Sequence, residues 1–271
     1  EIARQTLIDV REKRERPFLD DKILSGWNGL TIAAFSRAGS VLGDQTLIQA
    51  ARRSADFILE NLYCGKKKRL LRRWCNGEAA IPAFLEDYSF FCWGLIELYM
   101  SCFEGHYLRM AVQLTNEIEA LFSDGNHGFY DTSIDSEHIL TRGKNIQDTA
   151  LPSGSSAAVL NLLRLGRLTG DSDMVKKGEK HLATLFSDYY HHPLAYTFLL
   201  TALDWALGPS NELVISSPTE GQSADALLHA FHKGYLPRTV VQRCTPDNQE
   251  LKGIAPIVLG KPPLNGLTTA Y

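Results

Sequence analysis

Tyr88-Ser-Phe-Phe-Cys92-Trp-Gly-Leu-Ile-Glu97-Leu-Tyr-Met-Ser-Cys102 is the stretch that decides the fold. Apart from Glu97 and two serines, it is apolar or aromatic throughout. It is too long for an ordinary strand, and no side of a helix built from it suits water. It therefore predicts a helix buried on all sides. Just beyond it stands Gly105-His106, and then a helix with a charged face and apolar residues at Ala111 and Ile118. An apolar helix, a short glycine-containing turn and an amphipathic helix make an α-hairpin.

The same pair occurs on either side. An apolar helix over 29–38 leads to Gly43-Asp44 and an amphipathic run through Leu47, Ala50, Ala51, Ser54, Ala55 and Ile58. A third over 155–168 leads to Gly170-Asp171 and a helix with Gly178 and Leu182. The three glycines fall 62 and 65 positions apart, and each is read as the residue that closes the apolar helix. A buried inner ring inside an amphipathic outer ring is the pattern of an α/α toroid. A tetratricopeptide array, with a repeat of about 34 residues, does not fit. Six such hairpins would need roughly 380 residues. The helical region here, 1–208, is expected to hold about three and a half, hence part of a ring within a longer protein.

Two insertions separate the hairpins, 69–82 and 128–152. In the second, 128–132 and 137–141 are expected to pair as a β-hairpin. A further helix is read over 194–207. The texture then changes, and 209–271 is read as a separate small α/β unit with an irregular tail. Its β runs at 212–216 and 238–242 flank a helix over 224–233, with Ser217-Pro-Thr-Glu220 as a capping box. A parallel β-α-β unit is expected, without the glycine signature of nucleotide binding. The fold class is thus all-α dominated, a partial α/α six-hairpin toroid with a small C-terminal β-α-β unit.

Composition bounds the partners. The chain has 271 residues, a net charge of -3 and 22% charged residues, so it offers no basic field for nucleic acid. Its longest basic cluster, Lys66 to Arg69, followed by Arg72 and Arg73, is read as a solvated loop and strand edge. No apolar run approaches the roughly 20 residues that span a membrane. Five cysteines without a CxxC motif suit a reducing, intracellular setting better than a disulfide framework. No metal site or cofactor is expected: His229 and His232 are spaced i,i+3 but lack a third ligand, and a solvated face is the reading for them.

Candidate chemistry lies where the inner helices begin. Asp21, Trp27 and Asn28 precede or open the first, Glu86, Asp87 and Tyr88 the second, and Ser153 the third. His191-His192 opens a fourth and is read first as a helix entry. Because these segments share one phase of the repeat, they are expected on one rim. Asp87, Glu86 and Asp21 are the candidate catalytic groups. Trp27, Asn28, Tyr88 and Ser153 are candidate contacts for a small saccharide-like ligand. Paired carboxylates and a stacking aromatic are the machinery of sugar chemistry. The competing reading is capping: Ser, Asp and Asn begin helices to satisfy free N–H groups, and a helix start favours a carboxylate as its anion, which opposes an acid role.

Arg11-Glu-Lys-Arg14-Glu-Arg16-Pro17 and Asp20-Asp21-Lys22-Ile-Leu-Ser-Gly-Trp27-Asn28-Gly29-Leu30 closely resemble the signature of the spermatogenesis-associated, thioredoxin-like proteins. Phe84 to Tyr88, Gly128 to Thr132 and Pro152 to Ser155 match in order, so the resemblance covers nearly the whole chain. It implies a preceding thioredoxin-like domain, a six-hairpin glycosidase-like toroid and a link to sperm development and fertility. No catalytic motif of glycosidases or epimerases transfers residue by residue. An active sugar hydrolase or 2-epimerase, and a non-catalytic scaffold for the thioredoxin domain, are the rival expectations.

Overall fold

A computed structural model describes the chain except for residues 137–139, 190–191, 220–223, 246–248 and 259. A surface helix, α1 (Ile2–Glu12), opens it and buries none of its residues. Three hairpins follow: α2 (Ser25–Leu42) with α3 (Gln45–Asn61), α4 (Leu85–Cys102) with α5 (Gly105–Phe122), and α6 (Gly154–Thr169) with α7 (Ser172–Tyr189). A fourth inner-type helix, α8 (Thr197–Leu207), enters through a 3-10 turn at Pro193–Tyr196 and packs on α6.

The inner helices α2, α4 and α6 run parallel. Gly26 lies against Asp87 and Gly29 against Phe90, while Gly154 lies against Glu86 and Asn161 hydrogen-bonds the Ser89 carbonyl at 2.8 Å. Their starts therefore share one rim and their ends the other. α4 is buried along nearly its whole length, as its composition predicts. α3 buries one stripe, Ile48, Ala51, Ala55 and Ile58, and is an outer helix. This is a partial α/α toroid.

The turn glycines divide into two kinds. Gly43 and Gly170 close α2 and α6 in the left-handed conformation, at φ 68° and 75°. Gly105 does not close α4. Phe103 takes the left-handed position at φ 60°, and Gly105 instead begins α5. There its missing Cβ makes room for Glu250, whose Cδ would lie 2.9 Å away.

The first insertion is a small antiparallel sheet of β1 (Ile23–Leu24), β2 (Tyr63–Cys64), β3 (Arg69–Cys75) and β4 (Glu78–Pro82). In the second, Phe129 makes a bridge to Ser123. The expected hairpin partner at 137–141 begins in residues outside those described, as do Glu220 of the expected capping box and His191.

The C-terminal region contains β5 (Asn211–Ser216), α9 (Asp225–His232) and β6 (Thr239–Cys244), with β5 and β6 parallel as expected for a β-α-β unit. After the short α10 (Gln249–Lys252), β7 (Thr269–Ala270) pairs antiparallel with the end of β5, in a tail that shows no period in sequence. Tyr99 of α4 reaches Gln242 of β6 at 3.2 Å, and the core runs without a break from α4 and α6 into β5 and β6.

Candidate functional site

β3 and the start of α4 face each other across the rim. Arg72, from β3, donates through Nη1 to Glu86 Oε1 at 2.8 Å and to Asp87 Oδ2 at 3.0 Å. The sequence placed Arg72 on a solvated strand edge. The structure corrects this: alternation along β3 puts Arg72 on the same face as the buried Leu70, and its side chain, 25% exposed, reaches the start of α4.

Asp87 is only 2% exposed. Its Oδ2 also accepts the Phe84 backbone N–H at 3.0 Å, so it is the capping carboxylate of α4. Burial pushes its pKa up to about 6, and the nearby Glu86 charge adds to this. The Phe84 N–H and Arg72 pull the other way. A helix start alone would favour the anion, but desolvation outweighs it here. The acid-opposing effect expected from sequence is thereby reversed.

Trp27 lies one residue beyond Gly26, whose Cα faces Asp87 closely enough that a Cβ would fall 2.8 Å from Oδ1. Its side chain is 59% exposed, as a stacking wall requires. The other candidates are placed differently. Tyr88 is 1% exposed, packs edge-on against Phe122 and accepts the Leu70 backbone N–H at 2.8 Å; it belongs to the core and lines a separate cleft with Leu70 and Asp135, not the Arg72 side of the rim. Asn28 donates to the Leu24 carbonyl and accepts from Ser54 of α3, so it ties α2 to its outer helix. Ser153 is buried and caps α6, its Oγ accepting the Ser156 N–H at 3.0 Å. Asp21 stands apart, accepting from Cys75 Sγ at the far end of β3.

One carboxylate was not singled out from the sequence. Asp131, half-buried, accepts the Asn145 N–H with both oxygens at 3.0 Å, and its backbone carbonyl receives the Leu85 N–H. Burial raises its pKa, and Glu86 contributes. Its signals were its place in an insertion between hairpins and in the 128–132 stretch that carries the family resemblance. Of the histidines, His229 is exposed, but His232 is partly buried rather than on a solvated face. Among the described residues, no group of three His, Cys, Asp or Glu side chains is placed to hold a metal. No described helix is long and apolar enough to cross a membrane.

Parallel inner helices, an amphipathic outer layer and a polar rim define part of an α/α toroid. Solved structures agree. A cellobiose 2-epimerase from Bacillus thermoamylovorans superposes with a TM-score of 0.51 at 16% identity, over 60% of this chain and 44% of that one. A family 76 glycoside hydrolase from Bacteroides thetaiotaomicron gives 0.53 at 15% identity, over 68% and 42%. At such identities the likeness shows the fold alone. No family model matches the chain. Curated relatives do: it is 34% identical to rat spermatogenesis-associated protein 20 over 249 residues, and 33% identical to the human protein over 251. The match takes in 88% of this chain and 31% of each relative. Over most of its length the chain is thus a homologue of spermatogenesis-associated protein 20, and it spans about a third of the length of the curated relatives it matches.

Proposed function

We propose that the rim where α2, α4 and α6 begin binds a small saccharide-like ligand. The observation that carries this reading is the Arg72 guanidinium held on Glu86 and Asp87, on the rim where α2 begins with an exposed Trp27 one residue beyond Gly26. A fixed guanidinium can donate to sugar hydroxyls, and carboxyls beside it can accept from them. An exposed indole can stack on the apolar face of a pyranose. Epimerases and glycoside hydrolases with this fold support the choice of ligand class by architecture only.

We favour binding over turnover. Glu86 and Asp87 are sequence neighbours that share one guanidinium, whereas glycoside hydrolysis sets its two carboxyls on either side of the scissile bond. The relatives' name extends to this chain as part of the same proposal: it serves a protein of sperm development and fertility that also carries a thioredoxin-like domain. Five free thiols support a reducing, intracellular compartment for it.

Calorimetric titration of the full chain with glucose, mannose, N-acetylglucosamine and cellobiose tests the reading. At least one sugar is expected to bind, and Trp27→Ala is expected to abolish that binding without unfolding the protein. If no sugar binds, or if Trp27→Ala unfolds the chain, the pocket is lost and the scaffold reading replaces it.

A further inference from the structure

At the opposite end of the inner helices lies a cavity of about 350 Å³. Its floor is the last turns of α2 and α4 with the middle of α6. Its roof is the segment 231–241, which joins α9 to β6. Small-molecule sites begin at about this size.

The floor holds an ion pair that the rim does not use. Arg164 of α6 donates to Glu97 Oε1 at 2.8 Å, and both side chains are under 9% exposed. The same Glu97 oxygen accepts Trp93 Nε1–H at 3.2 Å and has Arg37 at 3.8 Å. Arg164 has one further contact, to the Met100 thioether at 3.9 Å, through the same nitrogen. A guanidinium carries five N–H donors in a rigid fork. Among the described residues, no hydrogen bond is seen from Arg164 Nε or Nη1, and neither atom is wholly shut off from solvent, so this edge of the guanidinium is open to the cavity. Arg164 and Arg37 thus share the Glu97 carboxylate, while Lys233 lies on the roof of the same cavity. Phe231, Leu236 and Val241 line the rest with apolar surface. The His232 imidazole is held below its usual pKa, by burial first and then by the Arg37 charge, so the site is cationic without it.

We propose that this cavity binds a small organic anion, a carboxylate or phosphate monoester on an apolar body. The free edge of Arg164 and the Arg37 guanidinium grip the acid group, and the apolar roof covers the body. Charge-assisted bidentate bonds to a guanidinium are the strong form of such recognition.

The test uses the full chain, with benzoate and phenyl phosphate as probes and benzyl alcohol as the neutral control, read by calorimetry and by thermal shift. One or both acids are expected to bind and the alcohol is not; which acid binds more tightly identifies the head group. Arg37→Gln or Lys233→Gln, both on exposed side chains, should weaken binding about tenfold or more. Joint replacement Glu97→Leu with Arg164→Met removes the buried pair together and should abolish binding. Arg4→Gln, on the surface helix α1, should leave it unchanged. The proposal is overturned if neither acid binds, if the alcohol binds as well as the acids, or if the folded variants bind like the wild type. Should the double variant fail to fold, the two single variants decide.

Discussion

Gly29 of α2 and Gly94 of α4 meet without side chains between them. A Cβ on Gly94 would fall 2.5 Å from the Gly29 carbonyl oxygen, and one on Gly29 would fall 2.5 Å from the Phe90 carbonyl. This contact sets the spacing of the inner helices, and so the spacing of the rim residues that they carry. Alanine would add helix propensity, worth about 1 kcal/mol at each position. The clash opposes it, and its partners are backbone atoms that cannot swing aside. Gly29→Ala and Gly94→Ala are each expected to destabilise the chain by about 1–3 kcal/mol. Urea unfolding measures this; a variant as stable as wild type would show that the helices can separate freely.

The Asp87 carboxyl gives the rim a pH signature. Its folded-state pKa of about 6 lies above the ordinary 3.8, so the folded chain holds this proton more tightly than the unfolded one. Stability from this group is therefore complete below about pH 4 and is lost as pH rises through 6. Asp87→Asn keeps an acceptor for the Phe84 N–H and does not titrate. The stability difference between the two proteins should shift in favour of the variant by about 2–3 kcal/mol between pH 4 and pH 7. A difference that stays flat across that range would place the Asp87 pKa near its ordinary value.

Much of the fold was legible in sequence because it rests on periodicity. The apolar run from Tyr88 to Cys102 can only be buried, and the stripe from Ile48 to Ile58 can only face inward. The residues that went astray depend on partners remote in the chain. Gly105 reads as a helix stop, yet Phe103 supplies the left-handed residue, because α4 runs one turn short of the glycine and Glu250 needs the space beside it. Tyr88 reads as a rim aromatic, but the side chain that follows a capping Asp points into the core. Arg72 reads as a solvent-facing charge, and only its place on the same face of β3 as the buried Leu70 reveals that it reaches α4. Trp27 and Asp87 were found by repeat phase, a signal that locates helix starts but does not say which way their side chains turn.

The thiols should differ sharply in reactivity. All five cysteines are free, with Cys64 exposed and Cys92 and Cys244 buried. Burial pushes the Cys92 thiol up to about 12 and Cys102 up to about 11, so neither forms the reactive thiolate near neutrality. Alkylation of the native chain at pH 8, followed by mass mapping, should label Cys64 first. Cys92, Cys102 and Cys244 should require unfolding. No CxxC lies at a helix start, so reduction of insulin disulfides by this chain is not expected. Fast labelling of Cys92 would mean that α4 opens readily from the core.

The Glu97–Arg164 pair offers the sharpest energetic contrast in the molecule. Each side chain is under 9% exposed, and each offsets the other's loss of water. Removing one partner strands a charge in a site where solvation is poor, which costs about 3–5 kcal/mol in such pairs. Glu97→Leu is expected to fall at the upper end, because it leaves the buried Arg164 guanidinium with only the Met100 thioether and also removes the acceptor for Trp93 Nε1. Arg164→Met should cost less, since Arg37 already lies 3.8 Å from Glu97 and can move closer. Replacing both residues removes both charges at once, and most of the lost stability should return. Denaturant titration of the two single variants and the double variant forms a complete cycle. A coupling energy near zero would mean that the two side chains are solvated separately, and the cavity floor would then hold no buried guanidinium for an anion to meet.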